Sequence, residues 1–171
     1  MVGSALLSQK SGQTCLVMLA WTFPPIIGTG IILGIAPTSK NAGGLLIAFY
    51  CTQFFLAQGN MIISLISRNI AGQTKKGICI SLTFVGWAVG NMIAPQIFQS
   101  GDAPRYKHGF TTHMVVYGVY FLLVLATRAL LLAKNKRKEH RTLEMGQAAV
   151  SHDLAFDDLT DIENPNFRYV F

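Results

Sequence analysis

The sequence predicts an all-α integral membrane protein with four transmembrane helices, and three observations carry that prediction. Between residues 11 and 99 there is no acidic residue, and the only charges are Lys40, Arg68, Lys75 and Lys76. The chain is 51% hydrophobic and 13% charged, where an ordinary soluble domain carries roughly 25% charged residues. The charge deficit is concentrated in the first 130 residues, in long apolar blocks separated by short polar gaps. A water-soluble domain needs charge every few residues on its wet face, so a stretch this bare has lipid for a solvent.

The elements follow in chain order. Residues 1–13 read as a cytoplasmic N-terminal loop carrying Lys10. The transmembrane region covers residues 14–133, with spans at about 14–35, 43–66, 78–98 and 113–133. Each span is ~20 residues, which at ~1.5 Å rise per residue covers the ~30 Å hydrocarbon core. In the first span, Pro24 and Pro25 are expected to break or kink the helix. Gly30 and Gly34, four apart, suit close helix packing there. In the second, Gln53, Ala57, Asn60, Ser64 and Ser67 recur at helical spacing and make one polar or small face. The third repeats the glycine pattern at Gly86 and Gly90, followed by Ala94, with Pro95 as a further expected kink. The fourth contains Arg128, near enough to its end to snorkel to the interface.

Residues 134–171 read as a charged cytoplasmic tail, largely disordered. Seven of the eight acidic residues lie after Ala133, beside a basic cluster at 134–141 that is expected to extend the fourth span as a helix. From about Gly146 the chain is polar and weakly periodic. Thr160 and Glu163 have capping-box spacing ahead of Asn164 and Pro165. For Phe167, Tyr169 and Phe171 two readings stand, docking back onto the bundle or binding a partner.

Charge also orients the bundle. Lys10 precedes the first span, Arg68, Lys75 and Lys76 follow the second, and five basic residues follow the fourth. The other gaps hold Lys40 alone, then a mixed set of Asp102, Arg105, Lys107 and His108. The positive-inside rule places both termini and the 69–76 loop in the cytoplasm.

Other classes are excluded by pattern. The net charge is +6, but the basic residues flank apolar blocks rather than forming one stripe, so no nucleic-acid partner is expected. Cys15, Cys51 and Cys79 are isolated, without CxxC or Cys/His spacing, and read as packing residues rather than a disulfide or metal site. No HExxH, cysteine pair or His–Asp set occurs, so no catalytic residue, metal, cofactor or enzymatic activity is expected. The candidate functional groups are the membrane-depth amides Gln53, Asn60, Asn91 and Gln96. They have two readings, hydrogen-bond glue between helices or the lining of a solute path. The loop residues Asn69, Gly72, Thr74, Lys75 and Lys76 likewise serve either topology alone or the bracing of a cytoplasmic gate.

Four strings point to a family. After the second span the chain reads Asn69-Ile70-Ala71-Gly72-Gln73-Thr74-Lys75-Lys76. The third contains Gly90-Asn91-Met92-Ile93-Ala94-Pro95-Gln96, followed by Asp102-Ala103-Pro104-Arg105-Tyr106. The tail reads Asp158-Leu159-Thr160-Asp161-Ile162-Glu163-Asn164-Pro165-Asn166-Phe167-Arg168-Tyr169. In this order they resemble the C-terminal part of fungal allantoate-permease-like transporters, in the anion:cation symporter branch of the major facilitator superfamily. Departures from that pattern include Ala5 where a Gly is usual, Gln13 where a base is usual, Trp87 and Ala88 in place of a Tyr-Cys pair, and Ala94 in place of a Gly.

The resemblance implies a partial C-terminal half of the major facilitator fold, about helices nine to twelve of twelve. It implies a plasma-membrane transporter that takes up small organic anions or vitamins, driven by protons. Substrate in that superfamily binds between two halves that rock against each other. Four helices supply at most one wall of such a site, so the chain alone is expected not to transport. No Asp or Glu lies in any span, so the expected proton-accepting carboxylate is not in this stretch; His113 is the nearest titratable alternative. The alternative reading is a free-standing four-span interaction or regulatory subunit that pairs with a full-length homologue.

Overall fold

The computed structural model describes residues 2–144, 160–162, 164 and 167–171. Six α-helices follow one another: α1 Val2–Ser11, α2 Thr14–Gly34, α3 Ala42–Thr52, α4 Phe55–Asn69, α5 Gln73–Ile97 and α6 Lys107–Glu144, with a short 3-10 turn at Ser100–Asp102. Among the described residues there is no strand. Four stretches are long and apolar enough to cross a membrane: Thr14–Gly34, Ala42–Asn69, Gln73–Ile97 and Lys107–Arg141. The protein is an all-helical integral membrane protein, as the acid-free sequence requires.

Local geometry departs from the sequence reading in three places. The segment expected as an N-terminal loop holds the helix α1, which turns at Gly12 and folds back along α2, with Gly3 near Trp21 and Ser8 bonded to Thr14. The second span is two helices, not one. At their junction the bonds tighten to i→i−3, from Gln53 N–H to the Tyr50 carbonyl and from Phe54 N–H to that of Cys51, the 3-10 pattern that interrupts an α-helix without leaving helical backbone angles. Conversely, α2 runs unbroken through Pro24 and Pro25, and α5 through Pro95. The expectation of an unstructured tail from Gly146 falls on residues 145–159, which lie outside the described residues, as does Glu163.

α2 is the centre of the bundle and packs against α1, α3, α4 and α6. Cys15, Val17, Met18 and Leu19 of α2 meet Met61 of α4 and Val124 of α6 in the buried core, ringed by Trp21, Ile62, Leu65, Tyr120 and Phe121. Lipid gives no hydrophobic drive for helices to associate, so backbone approach and polar bonds must hold them. Both are present on α2. A Cβ at Gly28 would sit 2.4 Å from the Ala48 carbonyl oxygen, so only glycine permits the α2–α3 contact. The buried Gln58 amide of α4 donates to Thr22 Oγ1 at 3.0 Å, and that hydroxyl donates in turn to the Met18 carbonyl at 2.8 Å.

The glycines singled out from sequence play a smaller part. Gly30 has the Met114 methyl 3.6 Å from its would-be Cβ, while Gly34, Gly86 and Gly90 have nothing within 4 Å. Among the described residues the close crossing is at Gly28, and no neighbouring helix comes that near Gly34, Gly86 or Gly90. α5 packs beside α4 and α6, yet none of its residues is buried.

The two ends of the bundle differ. At one end Arg68 donates to Thr14 Oγ1 and Arg128 to Gln13 Oε1, beside the α4–α5 loop and the C-terminal residues. At the other, Arg105 donates to the Leu33 carbonyl and Asp102 accepts from the His108 N–H.

Candidate functional site

Two cavities meet on α4. One, about 470 Å³, lies between α4, α5 and α6 and is lined by Asn60, Phe84, Trp87, Val116, Tyr117 and Tyr120 among others. Its walls are aromatic and aliphatic. Phe84 and Trp87 stack with ring centroids 6.0 Å apart, and the buried Tyr120 hydroxyl has no hydrogen-bond partner among the described residues. The other, about 330 Å³, lies between α1, α2 and α4 and is polar, with Ser4, Ser8, Thr14, Asn60, Ser64 and Arg68 on its walls. Asn60, Ser64 and Arg68 are spaced four apart, so one face of α4 carries them from the middle of the helix to its end. Asn60 belongs to both cavities.

The other predicted amides lie elsewhere. Gln53 is half-buried at the α3–α4 junction, Asn91 is exposed on α5 with its amide bonded to its own helix at the Trp87 carbonyl (2.9 Å), and Gln96 is exposed near the far end of α5. None of the three lines either cavity. An interhelical amide is Gln58, which the sequence reading passed over because it does not share the face of Gln53, Ala57, Asn60, Ser64 and Ser67. Its only signal is a lone Gln in an apolar block opposite a block containing Thr22. His113 is enclosed by rings, 5.3 Å from Phe98 and 6.1 Å from Tyr117 between centroids. Among the described residues no three of His, Cys, Asp or Glu gather as metal ligands.

The loop residues form a second constellation at the Arg68 end. Gly72 has φ +88°, the left-handed region, where a side chain would be strained, and it opens α5. Thr74 and Lys75 border a cavity of about 420 Å³ shared with Gly72, Ile78 and Thr160. Lys76 closes the first turn of α5, its N–H bonded to the Gly72 carbonyl at 3.0 Å. Lys75 pairs with Asp161, whose other carboxylate oxygen accepts from the Tyr169 hydroxyl at 2.8 Å. Lys138 of α6 donates to the carbonyls of Asp161 and Asn164. Burial alone would raise the Asp161 carboxyl, but the hydrogen bonds from Lys75 and Tyr169 and the Lys75 charge outweigh it and hold it below the usual carboxylate range. Burial, then the bond to Asp161, pushes the Tyr169 hydroxyl up to about 12.

Asn69 and Asn135 each grip one backbone residue of the tail with both arms. Asn69 donates to the Val170 carbonyl (2.8 Å) and accepts its N–H (2.7 Å). Asn135 does the same to Tyr169, at 2.8 and 2.9 Å. Neither Asn135 nor Asp161 was identifiable as a partner from sequence, since their contacts close over tens of residues.

Similarity to known proteins was found in fungal transporters. The chain is 37% identical over 141 residues to the allantoate permease of Saccharomyces cerevisiae, covering 81% of this chain and 25% of the permease. It is 33% identical to an uncharacterized transporter of Schizosaccharomyces pombe, covering 76% of this chain and 25% of that protein. It is 30% identical to an MFS-type transporter of Penicillium expansum, covering 82% and 28%. The chain thus spans about a quarter of the length of the curated relatives it matches. No family model matches it, and no solved structure does. The relatives named are transporters and permeases, not enzymes.

Proposed function

We propose that this chain, a homologue of a partial, C-terminal stretch of fungal MFS-type transporters, supplies one wall of a membrane pathway for a small organic anion. The observation that carries this reading is Asn60, the one predicted amide shared by a polar cavity and an aromatic one. An amide at that junction donates and accepts hydrogen bonds without the cost of a buried charge. On the polar side Arg68 and the hydroxyls of Ser4, Ser8 and Thr14 suit a carboxylate. On the other side the rings of Phe84, Trp87, Tyr117 and Tyr120 suit an apolar or planar body. The opposite wall, the proton-coupling carboxylate and the selectivity they bring belong to helices beyond these four.

The orientation is the one the charges favour, with the Arg68 end, both termini and the 69–76 loop in the cytoplasm and the plasma membrane as the host bilayer. The loop from Asn69 to Lys76 braces the inner end of that pathway.

Uptake of radiolabelled organic anions tests the reading. The chain expressed alone is expected to give no uptake, while a chimera carrying it in place of the matching quarter of the yeast allantoate permease is expected to transport. Within the chimera, Asn60→Ala should lower uptake about tenfold, as removal of a polar contact worth roughly 1.4 kcal/mol would. Unchanged uptake in the Asn60→Ala chimera sinks the assignment. A second reading, an interaction subunit that pairs with a full-length relative, draws on α5, none of whose residues is buried in this bundle. Co-purification of the chain with such a relative, without any effect of Asn60→Ala, would favour it.

A further inference from the structure

The C-terminal residues are built into the bundle in a way that neither topology nor a solute path requires. Residues 167, 169 and 171 are aromatic and alternate along the chain, and all three rings lie against α6. They meet a row of cations there: Lys138 lies 5.5 Å from the Phe167 ring centre, Lys134 5.0 Å from Tyr169, and Arg128 5.1 Å from Phe171. The segment therefore runs antiparallel to α6, three aromatic rings against three positive charges. The residue between, Val170, is gripped by Asn69 at the end of α4, while Asn135 of α6 grips Tyr169 from the other side. Two adjacent backbone residues are thus held from two different helices.

Asp161 adds the third helix. It is buried, and it accepts from Lys75 in the first turn of α5 and from Tyr169 of the same segment. A carboxylate out of water needs partners for both oxygens, and it has one on each. Thr160 lies against Gly72, where a Cβ would come within 3.4 Å of its methyl group. The body of α5 has no buried residue, while its first turn carries the ion pair with Asp161.

We propose that the C-terminal segment is a strap that fastens the inner ends of α4, α5 and α6 into one unit, with the Lys75–Asp161 pair as its clasp. While the clasp is closed, the start of α5 cannot shift relative to α6. Opening it removes the ion pair that ties the first turn of α5 to the tail. The strap belongs to this polypeptide, and its role holds whatever solute, if any, passes along α4.

Hydrogen exchange on the full chain in lipid nanodiscs tests this. In Asp161→Asn and in Lys75→Met, amides of residues 167–171 and of residues 73–79 are both expected to exchange at least tenfold faster than in the parent, while those of α2 stay unchanged. The doubly reversed protein, Lys75→Asp with Asp161→Lys, is expected to recover much of the protection. Tyr169→Phe keeps the ring on Lys134 and removes only the hydroxyl, so it gives a smaller acceleration in the same two segments even if the charge variants fail to fold. Unchanged exchange at 167–171 in the variants would overturn the strap. Faster exchange at 167–171 with residues 73–79 unaffected would equally overturn it, because the segment would then dock without holding α5.

Discussion

α2 and α5 look alike in sequence and behave differently in the bundle. Both are apolar, both exceed 20 residues, both contain proline, and both carry glycines four apart. Yet α2 is buried along its length at residues such as Thr14, Met18, Thr22, Pro25 and Thr29, whereas α5 buries none. Apolarity selects the membrane but does not choose neighbours there, since a lipid tail is as good a contact as a leucine. Neighbours are chosen by close backbone approach and by polar bonds. α2 has both, in Gly28 against Ala48 and Thr22 with Gln58. Asn91, the amide midway along the membrane stretch of α5, bonds among the described residues only to its own helix.

The sharpest way to break the contrast is to place the same side chain on each helix. Gly28→Leu drives a branched side chain into the Ala48 carbonyl and should destabilise the bundle by about 3 kcal/mol. Gly90→Leu on α5 enters open space and should change stability by less than about 0.5 kcal/mol. Unfolding of the two variants in mixed micelles measures the difference, and equal losses would show that α5 is packed as tightly as α2.

Acid probes the contrast at the start of α5, where Lys75 meets Asp161. Asp161 faces Lys75 on α5, Lys138 on α6 and the Tyr169 hydroxyl, with Lys134 and Arg168 close to Lys138. Its carboxyl is held low, so its contribution to docking is complete above the ordinary aspartate value near ~3.9 and is lost as pH falls through the lower value in the docked state. Tyr169 acts at the opposite extreme. Its raised hydroxyl contributes fully below ~10 and loses that contribution as pH rises through about 12. Protection of residues 167–171 should therefore form a plateau between those limits, falling first at α5 on the acid side while α2 stays protected. Exchange that is flat through acid, once corrected for intrinsic rates, would contradict the assignment.

The smallest pair of effects compares amides. Gln58→Leu removes a buried bond between helices, leaving Thr22 still bonded to Met18, and should cost about 1 kcal/mol. Asn91→Ala removes a bond within α5 and should be nearly silent in the same unfolding assay. A cost for Asn91 equal to that for Gln58 would assign it a partner outside its own helix.

What could be read from the sequence tracks the range over which each feature is decided. The four membrane stretches are local properties of composition, and all four were visible because lipid excludes charge. The α3–α4 junction was not, since a tightening of hydrogen bonds at Gln53 and Phe54 uses residues that also suit an ordinary helix. Small residues at spacing four marked possible crossings at Gly30, Gly34, Gly86 and Gly90. Which glycine is used depends on where Ala48 comes to lie, and that selects Gly28. Of the four candidate amides only Asn60 reaches a shared cavity, because helix rotation in lipid is set by neighbours and not by polarity alone. The strap was hidden most deeply. Lys75 pairs with a residue 86 positions later and Asn69 with one 101 positions later, and no local pattern announces either.

α6 runs for 38 residues, which at ~1.5 Å per residue is roughly 57 Å of rod. The hydrocarbon layer takes up only ~30 Å of that, leaving about half of the rod outside. Such a rod is a pole fixed in a sheet of variable thickness. A tilt of about 10°, well within the range by which membrane helices match their bilayer, sweeps the end of the ~16 Å overhang that extends past residue 133 sideways by roughly 3 Å. Asn135 and Lys138 ride on that overhang and are tied through the tail to Asn69 and Lys75. A change in the tilt of α6 therefore pulls on the same tail residues that meet Asn69 and Lys75.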